Sequence, residues 1–125
     1  MSKLFESGEM YLEHILLLRE KKENVRAIDI VNDTGYSKPS ISRALSLLKE
    51  DGMIFVDANG YITLSQKGEE TAQKIYRRHR ILSDFLESIG VDAETADADA
   101  CRIEHFVSDQ TVAKIEQHAS ALKKK

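Results

Sequence analysis

Near Gly52 the hydrophobic period of this 125-residue chain changes, and that change limits what the chain can fold into. Before it, apolar residues recur every three to four positions, as along one face of a helix. After it, two short β-favouring runs, 53–56 and 61–64, flank Asp57-Ala58-Asn59-Gly60. Asn-Gly between such runs specifies a tight hairpin, because both residues tolerate the positive φ of the turn. Beyond Ser65 the helical period returns. A mainly α fold is therefore expected: three helices, a two-stranded hairpin, then three more helices.

Capping residues sharpen the element boundaries. Ser7 is a candidate cap for a helix over about Glu9 to Lys22, with Leu12, Ile15, Leu16 and Leu18 on its apolar face. A second helical segment, near Ala27 to Asp33, carries Ile28 and Val31 and stops at Gly35, where left-handed geometry is cheap. Ser37 precedes Lys38-Pro39, placing Pro in a first turn where its missing N–H costs nothing. Ile41, Ala44, Leu45 and Leu48 then form one stripe that ends at Gly52. Ser65 opens a long helix reaching about Ile89 and halted by Gly90. Asp92 and Ser108 are candidate N-caps for two final helices over about 93–107 and 109–121. The pattern divides into residues 1–70, carrying the hairpin, and 71–125, all helical; only the KKK tail is of low complexity.

Composition removes several classes. The single Cys101 excludes a disulfide scaffold, and no apolar run approaches the roughly 20 residues of a membrane helix. The N-terminal stretch lacks the apolar core and small-residue cleavage site of a secretory signal. A cytoplasmic protein without membrane association is expected. A formal charge of -3 argues at face value against a nucleic-acid partner. The charge is uneven, however: Tyr36 to Lys49 holds Lys38, Arg43 and Lys49 and no acid, a local +3.

That basic stretch lies where it has a use. Two short helices joined by a Gly turn and followed by a hairpin match a winged helix-turn-helix, whose second helix enters the major groove of double-stranded DNA. Ser37, Lys38, Pro39, Ser40, Ser42 and Arg43 stand at the start of that helix. Hydroxyls and N–H groups there suit phosphate, and Arg43 suits guanine O6 and N7. An ordinary exposed polar helix face is the plainer alternative. The wing tip, 57–60, has no Lys or Arg and adds little charge.

The C-terminal half carries side chains of the types that bind transition metals. Cys101, Glu104 and His105 stand at i, i+3 and i+4, on one face of one helix. Met10 and Glu13 share a face of the first helix, and His79 lies among Arg77, Arg78 and Arg80. Each also has an ordinary reading. A lone Cys is usually a small buried hydrophobe. Met10 suits the core, and His79 suits a solvated surface, as do His14 and His118.

Taken together, Glu9-Met10-Tyr11-Leu12-Glu13, Ser37-Lys38-Pro39-Ser40-Ile41-Ser42-Arg43, Arg78-His79-Arg80 and Asp99-Ala100-Cys101-Arg102-Ile103-Glu104-His105 resemble the DtxR/MntR family of metal-dependent transcriptional repressors, over Glu9 to about Ile115. The resemblance implies a homodimer whose N-terminal winged helices bind a palindromic operator, with an all-helical dimerisation domain and metal between the two parts. Met10, Cys101, Glu104 and His105 match the activating site of the iron-responsive branch, and Glu13 and His79 match ligands of the manganese-responsive branch. The manganese branch carries Asp where this chain has Met10, and Glu where it has Cys101. The iron branch has a carboxylate and a histidine near Ser83 and Asp97, and adds an SH3-like third domain for which 125 residues leave no room. The chain is a hybrid of the two. Thioether and thiolate are soft donors, which puts Fe(II) first and Mn(II) second.

Without metal, Glu13, Glu104 and nearby acids such as Asp97 and Asp99 are expected to repel one another until a cation arrives. Glu87 to Asp109 carries seven acidic residues and one Arg, a local -6. A rival is a winged-helix regulator answering an organic ligand, or a thiol oxidant through Cys101, without metal. An enzyme is not expected, because no Gly-rich phosphate loop or nucleophile–base pairing is evident.

Overall fold

A computed structural model describes the backbone of residues 6–123 and the side chains of residues 8–119. Its elements are α1 (Glu6–Lys21), α2 (Ala27–Thr34), α3 (Lys38–Glu50), β1 (Ile54–Val56), β2 (Ile62–Leu64), α4 (Gln66–Ser88), α5 (Ala93–Ile103) and α6 (Asp109–Lys123). The chain divides into two compact units, residues 1–73 and 74–125. The fold is mainly helical, as expected. No helix among the described residues is long and apolar enough to cross a membrane.

In the first unit the stripe Leu12, Ile15, Leu16 and Leu18 is buried, together with Ile41, Ala44, Leu45 and Leu48 of α3. Helix α1 already includes Glu6, so Ser7 lies inside it rather than at its cap. Helix α2 departs from the expected pattern. Its core residue is Ile30, fully buried, whereas Ile28 is 47% exposed. Two residues apart on a helix are about 200° apart in direction, so a two-turn helix that buries Ile30 must turn Ile28 outward. Asp29 secures the start of α2: one carboxylate oxygen accepts from the Arg26 N–H at 2.8 Å and the other from Lys22 Nζ at 2.6 Å. The Lys22 hydrogen bond is the main reason that the Asp29 carboxyl is held below the usual range. Gly35, at φ 76°, caps α2 by donating its N–H to Val31 O.

The wing is an antiparallel pair in the register Ile54↔Leu64, Phe55↔Thr63, Val56↔Ile62. The Ile62 N–H also donates to Val25 O at 2.7 Å, which ties the α1–α2 connection to the outer edge of β2. At the tip Asp57 accepts from the Asn59 and Tyr61 N–H groups, closing the turn. Arg19 of α1 and Glu69 of α4 form two 2.7 Å bonds, and the Arg19 hydrogen bond holds the Glu69 carboxyl below its ordinary value.

Ser65 joins the hairpin to α4. Its hydroxyl donates to Gly52 O at 2.6 Å and accepts from the Gly68 N–H at 3.0 Å. Here α4 runs so near the start of the hairpin that a Cβ on Gly68 would meet Met53 O at 1.9 Å.

In the second unit Ile75, Leu82, Ala96, Ala100 and Val112 are buried. The two expected caps are present: Asp92 accepts from the Thr95 N–H at 2.9 Å, and the Ser108 hydroxyl from the Thr111 N–H at 3.1 Å. Outside the core, Ile89, Ile103 and Phe106 are exposed. Helix α5 ends at Ile103, four residues short of the expected boundary.

Gly68→Ala should destabilise the chain. Alanine favours a helix by about 1 kcal/mol over glycine, but the overlap is with a backbone carbonyl that cannot swing aside. A net loss of about 1–3 kcal/mol is expected, read as a lower urea midpoint at unchanged slope.

Candidate metal centre

Within the second unit, α4 and the end of α5 bring three of the proposed ligands together. His79 stands midway along α4. Its Nδ1 lies 2.8 Å from Glu104 Oε2, and its Nε2 lies 2.7 Å from Asp97 Oδ1 on α5. Glu104 is fully buried. Its second oxygen, Oε1, has no hydrogen-bond partner among the described residues. His105 Nε2 is 3.4 Å from that oxygen, with the His105 side chain only 5% exposed.

This departs from the expectation of one continuous helix carrying Cys101, Glu104 and His105. Cys101 occupies the last turn of α5 and is exposed, Glu104 is the C-cap, and His105 lies in the turn beyond. Past the end of α5 the backbone carbonyls are served by a side chain rather than by helical N–H groups. Arg78 donates to Glu104 O at 3.0 Å and to Val107 O at 2.5 Å, and it also bonds Asp109. Arg78 and then Lys74 hold the Asp109 carboxyl below its usual range.

The residues present fit a divalent cation. Burying a carboxylate without enough donors is costly, and an oxygen left without one beside an imidazole nitrogen is an arrangement that a cation completes. The donors are oxygen and nitrogen from Glu104, His79 and His105, with the Cys101 thiol exposed one turn before Glu104. Asp97, on the far ring nitrogen of His79, is placed to orient the ring, as a second carboxylate does for many metal-ligating histidines.

In the first unit, Met10 is half-buried on α1 and Glu13, three residues on, is 7% exposed. The Tyr36 hydroxyl approaches the Met10 sulfur at 3.8 Å, and the Tyr36 ring packs edge-on against Tyr11. His14 pairs with Asp33 at 2.6 Å in an exposed contact. His118 packs against Phe85.

The start of α3 is arranged as a helix that presents small polar groups outward. Ser37 is the N-cap and accepts from the Ser40 N–H at 3.3 Å, with Pro39 in the first turn. Ser37, Lys38, Pro39, Ser40, Ser42 and Arg43 are all exposed, whereas Ile41, Ala44, Leu45 and Leu48 face the core.

Comparison with known proteins decides the family. Residues 65–125 match the iron dependent repressor, metal binding and dimerisation domain family. The chain is 32% identical over 109 residues to the HTH-type transcriptional regulator MntR of Lysinibacillus sphaericus, covering 87% of this chain and 78% of that protein. The chain belongs to the DtxR/MntR family. Within that family it is also 32% identical over 110 residues to the iron-dependent repressor IdeR of Mycobacterium tuberculosis, covering 87% of this chain and 48% of that one. A manganese-dependent transcriptional repressor solved in complex with manganese superposes with a TM-score of 0.82 at 29% identity, covering 90% of this chain and 52% of that one. The chain thus spans about half the length of the iron-dependent relatives it matches.

One participant was not singled out by sequence reasoning. In the sequence Arg78 is a neighbour of His79 in a basic run and part of the Arg78-His79-Arg80 motif, with no role of its own, and such runs are usually solvated. Its bonds to the α5–α6 connection exist only in the fold.

Glu104→Gln keeps the side-chain volume and replaces the buried carboxyl by an amide. Its thermal midpoint without metal should be no lower than that of the natural chain. Adding Mn(II) or Fe(II) at 100 times the dissociation constant should stabilise the natural chain by about 2.7 kcal/mol and the variant far less. Equal stabilisation of both would remove Glu104 from the ligand set.

Proposed function

We propose that this chain is a metal-dependent transcriptional regulator, acting as a repressor, which binds a palindromic operator as a homodimer when loaded with a divalent metal. Residues 1–70 are assigned the DNA contacts and residues 71–125 metal binding and dimerisation. The observation that carries this reading is the buried Glu104 carboxylate, bonded by His79 on one oxygen and without a hydrogen bond on the other, which lies 3.4 Å from His105 Nε2. Met10, Glu13, His79, Cys101, Glu104 and His105 are the proposed ligands. Ser37, Lys38, Pro39, Ser40, Ser42 and Arg43 are the proposed DNA contacts. The names of its relatives, iron-dependent and manganese-dependent repressors, support the same assignment.

The electrostatics agree with it. A divalent cation supplies positive charge in a stretch, Glu87 to Asp109, that holds seven acids against Arg102 alone. The basic start of α3 supplies the opposite complement for phosphate. Operator affinity rises with metal only as far as the DNA-competent state holds the cation more tightly. The exposed Ile89, Ile103 and Phe106 offer apolar surface for a second copy. Catalysis is not proposed, and the relatives are named as regulators rather than enzymes.

Fe(II) is proposed first, on the soft donors of Met10 and Cys101. Mn(II) is the second reading, favoured by the bond that pairs His79 with Glu104, two donors without sulfur.

The test is anaerobic gel retardation with DNA selected from a random pool in the presence of each metal. Metal should promote retardation, Fe(II) at lower concentration than Mn(II), and His105→Ala should abolish the promotion while leaving the fold intact. Arg43→Ala should relax base preference, whereas Lys38→Ala should weaken binding evenly across sequences. Equal retardation with and without metal would contradict the proposal.

A further inference from the structure

We propose that Arg78 is the positioning residue of the metal centre: it fixes the 104–107 turn so that Glu104 and His105 are already in place before a cation binds. The inference rests on the metal-site reading above and adds a residue to which that reading gives no role.

Arg78 and His79 are consecutive on α4, and between them they hold Glu104 twice. His79 takes the carboxylate through Nδ1, and Arg78 takes the backbone carbonyl of the same residue through its guanidinium. The same guanidinium nitrogen bonds Val107 O, and the other terminal nitrogen bonds Asp109 in the first turn of α6. Both carbonyls lie past the end of α5, where helical N–H groups no longer serve them. The Arg78 side chain is 12% exposed, while Asp109 beyond it is 72% exposed. The guanidinium therefore sits largely inside, with its outer edge anchored by a carboxylate at the surface. Only a planar fork with several fixed donors reaches two carbonyls and a carboxylate at once, and a lysine ammonium is a single point.

Two roles for such a cation predict opposite signs. A nearby positive charge with no positioning role opposes M²⁺, so its removal strengthens metal binding. A group that holds ligands in register weakens metal binding when removed, by about 10- to 100-fold where a partner of a ligand is lost. The two bonds to the ligand-bearing turn, anchored by the third to Asp109, favour the second.

The test is anaerobic titration of the full-length chain with Co(II), following the visible ligand-field absorption, in the natural chain, Arg78→Met, Arg78→Lys, His79→Ala and Glu104→Gln. Thermal melting without metal checks folding. Arg78→Met should bind Co(II) about tenfold or more weakly, with an altered absorption band. Arg78→Lys keeps the charge and should also weaken binding; it decides the question where the Met variant does not fold. Unchanged or tighter Co(II) binding in a folded Arg78 variant, with His79→Ala and Glu104→Gln weakened, would overturn the positioning role alone. Co(II) binding that is indifferent to His79→Ala and Glu104→Gln would overturn the metal-site reading itself.

Discussion

A carboxylate has been taken out of water at Glu104, and the second unit is built around the consequences. A carboxyl in that setting needs partners, and the chain gives one of its oxygens His79 and leaves the other without a hydrogen bond, 3.4 Å from His105 Nε2. Hydrophobic packing of Ala96, Ala100, Leu82 and Val112 supplies the stability of the unit. Nothing about stability requires an acid at position 104, because replacing a buried charged pair by apolar groups of similar size is often neutral or stabilising. Under the proposed function the acid is explained by the cation it would bind. Arg78 and Asp97 then follow as the groups that hold Glu104 and His79 still.

The first unit separates its two tasks by face. Helix α3 gives Ile41, Ala44, Leu45 and Leu48 to the core and keeps the hydroxyls of Ser37, Ser40 and Ser42, with Lys38 and Arg43, at the surface. Burial of the stripe orients the helix, and the Ser37 cap determines where it begins. The average charge of -3 conceals this arrangement, since a basic helix start and an acidic stretch cancel in the sum.

Much of the fold was legible in the residues because its signals are local. The Gly35 turn, the Ser37, Asp92 and Ser108 caps and the hairpin at Asn59-Gly60 each depend on two to four neighbouring residues. What was not legible depends on distant groups. Periodicity marked Ile28 and Val31 in α2, but a two-turn helix has too few residues to define its face, and packing chose Ile30. The end of α5 was placed at 107 because nothing in the local sequence breaks the helix there. The carbonyls beyond the actual end are taken by Arg78, 26 residues away in the chain from Glu104, a partner that local sequence does not reveal. At the site, His79, Glu104 and His105 were legible as ligand types, and the structure gathers them within the second unit. The exposure of Cys101 and the pairing of His14 with Asp33 were not legible, since spacing says nothing about which face meets solvent.

The central claim is that a divalent cation is held by Glu104 with the imidazoles of His79 and His105. Metal K-edge X-ray absorption on the Fe(II)-loaded and Mn(II)-loaded chain tests it most directly. The account predicts the outer-shell scattering of two imidazoles together with light-atom donors, and a sulfur shell in the iron form where Cys101 or Met10 joins. A shell without imidazole scattering in either metal form would contradict it.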